Sequence, residues 1–99
     1  MNTMQRTASF DAWLSALADN KGKARVLARL TAAEFGNFGD CEAVGEGVSE
    51  MRIHFGPGYR VYFTRRGKVV YLLLLGVDKS TQARDIKRAK ELASMIKEV

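Results

Sequence analysis

The run VVYLLLL at 69–75, closed by Gly76, constrains the fold more than any other stretch of the chain. It is far short of the roughly 20 residues needed to cross a bilayer as a helix, and no membrane span is expected anywhere. It also shows no alternation of apolar and polar side chains. A strand that is apolar on both faces belongs in the interior of a sheet, covered by helices or other side chains. With 99 residues, 46% of them apolar, the chain can close one modest core and not two, so a single domain over 1–99 is expected.

Upstream of that run the pattern changes from helical to alternating. Phe10, Trp13, Leu14 and Leu17 recur at helical spacing behind Thr7 or Ser9 as N-cap, with Asp11 in the first turn where it complements the helix dipole. The segment Asp19-Asn20-Lys21-Gly22 interrupts this helix. A second helix carries Val26, Leu27, Leu30 and Ala33 on one face until Gly36 stops it. The two helices are expected to pair antiparallel, and residues 2–6 ahead of them are a candidate short edge strand. Gly36-Asn37-Phe38-Gly39-Asp40 is loop chemistry, and Gly45 and Gly47 are expected to break up any strand near Ala43-Val44.

Beyond Gly47 the period is two. Met51, Ile53 and Phe55 alternate with Glu50, Arg52 and His54; a tight Gly56-Pro57-Gly58 connection follows; then Val61 and Phe63 alternate with Arg60, Tyr62 and Thr64 before a turn at Arg66-Gly67. After the apolar run, Ser80 can cap a final helix in which Ala83, Ile86, Ala89, Ala93 and Ile96 share a face. The expected class is α+β: an N-terminal helix pair packed with a mostly antiparallel sheet of about three to five strands, then a C-terminal helix, the helices lying on one face.

Charge is divided unevenly. Residues 1–50 hold five basic and seven acidic side chains, a net −2, and residues 51–99 hold eleven basic and four acidic, a net +7. A strongly basic half either favours a polyanionic partner through its long-range field or simply keeps the protein dispersed. Cys41 is the single cysteine, so no internal disulfide can form and a reducing compartment is expected. The opening MNTMQRTASF has no apolar run of the signal-peptide kind, which makes the cytoplasm the expected location. One histidine and one cysteine far apart make no metal-ligand pattern, and the glycines of GEG and GPG lack the strand-to-helix setting of a phosphate loop. Neither a metal nor a nucleotide cofactor is expected.

The residues that can carry chemistry lie on the polar side of the two alternating strands. Arg52 and His54 face away from the Met51/Ile53/Phe55 core, and the short connection brings Arg60 and Tyr62 onto the same face, provided the register keeps charges out of the core. Guanidinium groups match phosphate bidentately and tyrosine rings stack on unpaired bases, so such a face suits single-stranded RNA. The plain alternative is a solvated face on which Glu50 pairs with Arg52. His54 is the only side chain with an ordinary pKa near neutrality and hence the candidate for proton transfer. Lys79 follows the apolar strand, next to Asp78, which either caps the helix or pairs with that lysine. Lys21, Arg25 and Arg29 form a stripe on the second helix, either solvated or in contact with a phosphate backbone, and Arg84 on the last helix is a further candidate contact.

Taken together, GVSEMRIHFGPGYRVYF at 47–63, GVDKSTQ at 76–82, Asp85-Ile86, the Phe10…Trp13-Leu14 opening and the loop at 36–40 resemble the HigB-like, phage-derived addiction-module-killer branch of the RelE/ParE toxin superfamily, over nearly the whole chain. The resemblance implies the toxin of a type II toxin–antitoxin pair, partnered by a helix-turn-helix antitoxin. RelE-type members cleave mRNA on the ribosome without metal and so inhibit translation. It further implies catalytic roles for Arg52, His54, Arg60 and Lys79, with attack of an RNA 2′-hydroxyl on the adjacent phosphorus. Several such toxins carry a Tyr or His in the last helix; residues 80–99 contain neither. That departure keeps open a ParE-like reading, a DNA gyrase poison that binds without catalysing, and a third in which the chain is a nucleic-acid-binding module without activity.

Overall fold

A computed structural model describes residues 1–78 and 82–96. Its elements run β1 (Thr3–Arg6), α1 (Ala8–Ala16), α2 (Asn20–Glu34), β2 (Cys41–Gly45), β3 (Val48–Ile53), β4 (Tyr59–Arg65), β5 (Val70–Asp78) and α3 (Gln82–Ile96). The strands form one sheet in the order β1-β5-β4-β3-β2. β2, β3, β4 and β5 pair antiparallel in sequence order, whereas β1 runs parallel to β5, which makes the sheet mixed. The α+β class is therefore observed, with a strand ahead of the helix pair. Among the described residues no helix is long and apolar enough to cross a membrane.

The apolar run becomes β5, enclosed between β1 and β4. Both of its faces are covered, which corrects the expectation of helices on one side only. Leu73 joins Phe10 and Leu14 of α1 and Val26, Leu30 and Ala33 of α2 in one buried cluster, while Leu72, Leu74 and Leu75 pack with Ala89 of α3 in another. A β-bulge makes the unequal division possible. Tyr62 pairs with Leu75 but Phe63 with Leu73, so Leu74 is the extra residue. The two N-terminal helices pack on the sheet more than on each other, α1 chiefly along β5 and α2 against β1 and β3.

Local chemistry accounts for the element ends. The Thr7 hydroxyl accepts from the Phe10 N–H at 3.0 Å to cap α1 and donates to the Leu74 carbonyl at 2.8 Å, tying the helix start to β5. Asp19 caps α2 by accepting from the Gly22 N–H at 3.0 Å. The expectation that Gly45 and Gly47 would break an early strand fails because Glu46 and Gly47, at φ 55° and 78°, are the two-residue connection of a β2/β3 hairpin. Gly76 is required by packing: a Cβ there would stand 2.1 Å from the Trp13 ring of α1. Ser80, the expected cap of the last helix, lies outside the described residues.

Candidate functional site

The register of β3 on β4 puts Arg52 directly opposite Arg60, and Glu50 opposite Tyr62. Period-two alternation sends these four side chains to the α3 face of the sheet. Two guanidinium groups facing each other across strands repel, and the fold resolves this with one buried carboxylate. Glu50 has no exposed surface. It accepts from Tyr62 Oη at 2.8 Å, Arg52 Nε at 3.0 Å and Gln82 Nε2 at 3.0 Å, and Arg60 Nε stands 3.5 Å away. Burial pushes the Glu50 carboxyl up, but the bonds from Tyr62, Gln82 and Arg52 and the charge of Arg60 outweigh it, leaving its pKa below the usual range. Burial, followed by the bond to Glu50, raises the Tyr62 phenol far above its ordinary value.

Arg52, His54 and Arg60 line one open cleft of about 320 Å³ at the end of the β3/β4 hairpin, together with Phe55, Gly58 and Tyr59. Three of the four residues proposed as catalytic are thus brought together; Lys79 lies outside the described residues. The cleft is less cationic than the sequence led one to expect. Besides Glu50, Arg52 holds Glu42 through Nη2 at 2.6 Å and Asp40 through Nη1 at 3.5 Å. Asp40 also reaches His54 Nε2 at 2.6 Å, so the nearest charge to the imidazole is negative. That bond, against some burial and with help from Arg52, lowers the Asp40 carboxyl.

The residues proposed to bind RNA are scattered. Tyr62 is fully buried with its hydroxyl engaged, because α3 covers this part of the sheet, so it offers no ring for base stacking. Arg29 is half-buried, and its guanidinium donates to the carbonyls of Arg52, Phe38 and Asp40, which makes it a tie between α2, the loop at 36–40 and β3 rather than part of a solvated stripe. Arg25 is exposed and its guanidinium lies 4.9 Å from the centre of the Phe55 ring, on the rim of the cleft. Lys21 is exposed on α2, whereas Arg84 lies on α3 beside a separate groove with Trp13 and Asp78.

Asp40, Glu42 and Gln82 are the members of the constellation that sequence reading missed. Asp40 follows a glycine loop and Glu42 sits in a strand that was not expected; both reach Arg52 only through the β2/β3 hairpin, which carries Cys41 to the level of Met51. The Glu-Gly pair at 46–47 was the available signal. Among the described residues no group of three or more His, Cys, Asp or Glu could hold a metal ion.

No family model matches the chain. An uncharacterised protein of Haemophilus influenzae is 49% identical to it over 90 residues, which cover 91% of each chain.

Proposed function

The chain belongs to one family with the Haemophilus influenzae protein, and we propose that it is a RelE/ParE-type toxin of a type II toxin–antitoxin system, a metal-independent, ribosome-dependent mRNA endonuclease that inhibits translation in the cytoplasm. The observation that carries this reading is the meeting of Arg52, Arg60 and His54 in one open cleft, with both guanidinium groups aimed by a buried carboxylate. A cleft of that composition can hold an RNA phosphodiester and accept the proton of the neighbouring 2′-hydroxyl. The 2′-oxygen then bonds to phosphorus, the bond from phosphorus to the 5′-oxygen breaks, and the arginines stabilise the charge that develops on the non-bridging oxygens.

Compensation of Arg52 does not oppose this. Glu42 and Asp40 lie at the rim, their side chains 62% and 44% exposed. Contacts at so open a rim are weak, so a phosphate can take the place of both carboxylates on Arg52 Nη1 and Nη2, while Glu50 stays behind to hold the guanidinium and Asp40 Oδ2 stays on His54. Lys21, Arg25 and Arg84 serve as outlying phosphate contacts, and a helix-turn-helix antitoxin is the expected neutralising partner.

The same compensation, with the lack of a Tyr or His on α3, favours a second reading in which the chain binds and poisons DNA gyrase without chemistry. Purified protein assayed for mRNA cleavage on programmed ribosomes and for inhibition of gyrase supercoiling separates the two. On the first reading, cleavage occurs and Arg60→Ala lowers its rate by about 10²–10³, the worth of one charge-stabilising donor. Supercoiling inhibition without cleavage would replace it with the second.

A further inference from the structure

The contact between Asp40 and His54 differs from an ordinary surface ion pair in how its carboxylate is held. The guanidinium of Arg29, on α2, donates to the Arg52 carbonyl at the end of β3 and to the carbonyls of Phe38 at 2.9 Å and Asp40 at 3.4 Å. The Asp40 carbonyl also accepts from the Arg52 N–H at 2.9 Å. Arg29 thus clamps the loop at 36–40 to the end of β3, just ahead of His54. Gly39 belongs to the clamp: its φ is +65°, and a Cβ there would meet Arg29 Nη2 at 2.7 Å. The outcome is a carboxylate whose backbone is fixed from two sides, with Oδ2 at 2.6 Å from His54 Nε2 and Oδ1 at 3.5 Å from Arg52 Nη1.

We propose that Asp40 is a positioning residue that holds the neutral imidazole of His54 as the Nε2–H tautomer, leaving Nδ1 as the nitrogen that accepts a proton in the cleft, and that Arg29 positions Asp40 for this task. The nitrogen that bonds a carboxylate carries the proton and the other becomes the base, so the fixed carboxylate selects the reactive atom. The proton-transfer part rests on the reading of the cleft as a ribonuclease site. In that reaction Nδ1 takes the proton of the 2′-hydroxyl as its oxygen bonds to phosphorus. The 5′-oxygen leaves as the bond to phosphorus breaks and takes a proton from solvent water, and the imidazolium, stabilised meanwhile by Asp40, returns its proton to solvent.

His54 is the single histidine, so protein labelled with 15N-histidine gives one pair of imidazole signals. At alkaline pH, where the ring is neutral, the wild type should show one tautomer, Nε2–H. Asp40→Ala and Arg29→Met should both give the averaged signals of two tautomers. Gly39→Ala, which keeps every ionisable group and displaces the guanidinium, should do the same, and it decides the case if Arg29→Met does not fold. Single-turnover cleavage on programmed ribosomes should fall about 10–100-fold in Asp40→Ala and Arg29→Met, the usual effect of removing the partner that orients an imidazole, with KM little changed. In a His54→Gln background the same substitutions should cost nothing further. Imidazole spectra that are the same in the wild type, Asp40→Ala and Gly39→Ala would overturn the proposal, as would an undiminished loss in the His54→Gln background. A wild type that cleaves no RNA would overturn the ribonuclease reading and the proton-transfer role with it, while the tautomer spectra still decide whether Arg29 and Asp40 hold the ring.

Discussion

The two faces of the sheet come from the same strands, alternate residues going to each, yet they bury different chemistry. Under α1 and α2 lie Phe10, Leu14, Val26, Leu30, Met51, Val61 and Phe63, a layer of hydrocarbon and aromatic carbon. Its polar links are at the edge, where the Tyr59 hydroxyl donates to Asp19 at 3.0 Å. Under α3, Tyr62 and Glu50 are as completely buried as any leucine, and Arg52 and Arg60 extend from them into the cleft. Apolar burial is non-directional, so the first face tolerates changes that conserve volume. A buried carboxylate is tolerable only while its donors are in place, so the second face is specified atom by atom. The proposed chemistry sits on the face whose geometry is set by a charge.

That contrast can be broken from either side. The largest effect is expected from Phe10→Ala, which empties a fully buried aromatic position and should cost about 3–5 kcal/mol in urea unfolding, a large share of the roughly 5–15 kcal/mol available to a small domain. The cleft does not include Phe10, so activity per folded molecule should survive. Glu50→Gln should lower both stability and activity. It conserves shape but leaves Arg52 and Arg60 opposite each other without their shared anion, costing about 2–4 kcal/mol. That lies somewhat below the range for breaking a fully buried pair, because both arginines are partly solvated. Cleavage per folded molecule should fall with it. Normal activity in this variant would show that the carboxylate does not aim the arginines.

The smallest effect is a pH dependence that sharpens the same assignment. The Glu50 carboxyl titrates lower in the folded chain than in the unfolded one, so its contribution to stability is present above the unfolded value of about 4.3 and is lost as pH falls through the folded value. The stability gap between wild type and Glu50→Gln should therefore narrow below about pH 4. Urea midpoints measured from pH 7 to 3 test this, and a gap that stays constant would place the difference in packing rather than in charge.

Much of the framework was legible in the order of residues. The run at 69–75 announced an interior strand, Thr7 was one of two candidate caps for the first helix, the segment from Asp19 marked the break between the helices, and the alternation at 50–55 and 59–64 placed Arg52, Arg60 and Tyr62 on one face. All of these follow from forces acting within a few residues, or from a simple period. The two-sided cover of β5 was also implicit, since a strand apolar on both faces needs both covered, and the expectation of helices on one side underused that fact.

What the tertiary structure alone decided is which polar residues meet. Nothing local indicates that Tyr62 lies beneath α3 instead of facing solvent, that Arg29 closes a loop on β3, or that the partner to which the β2/β3 hairpin brings Asp40 and Glu42 is Arg52. Alternation gives the face on which a side chain stands but not what covers that face. The cover is set by contacts between segments distant in sequence, and it decides whether an arginine or a tyrosine is a surface for ligands or part of the frame that holds one.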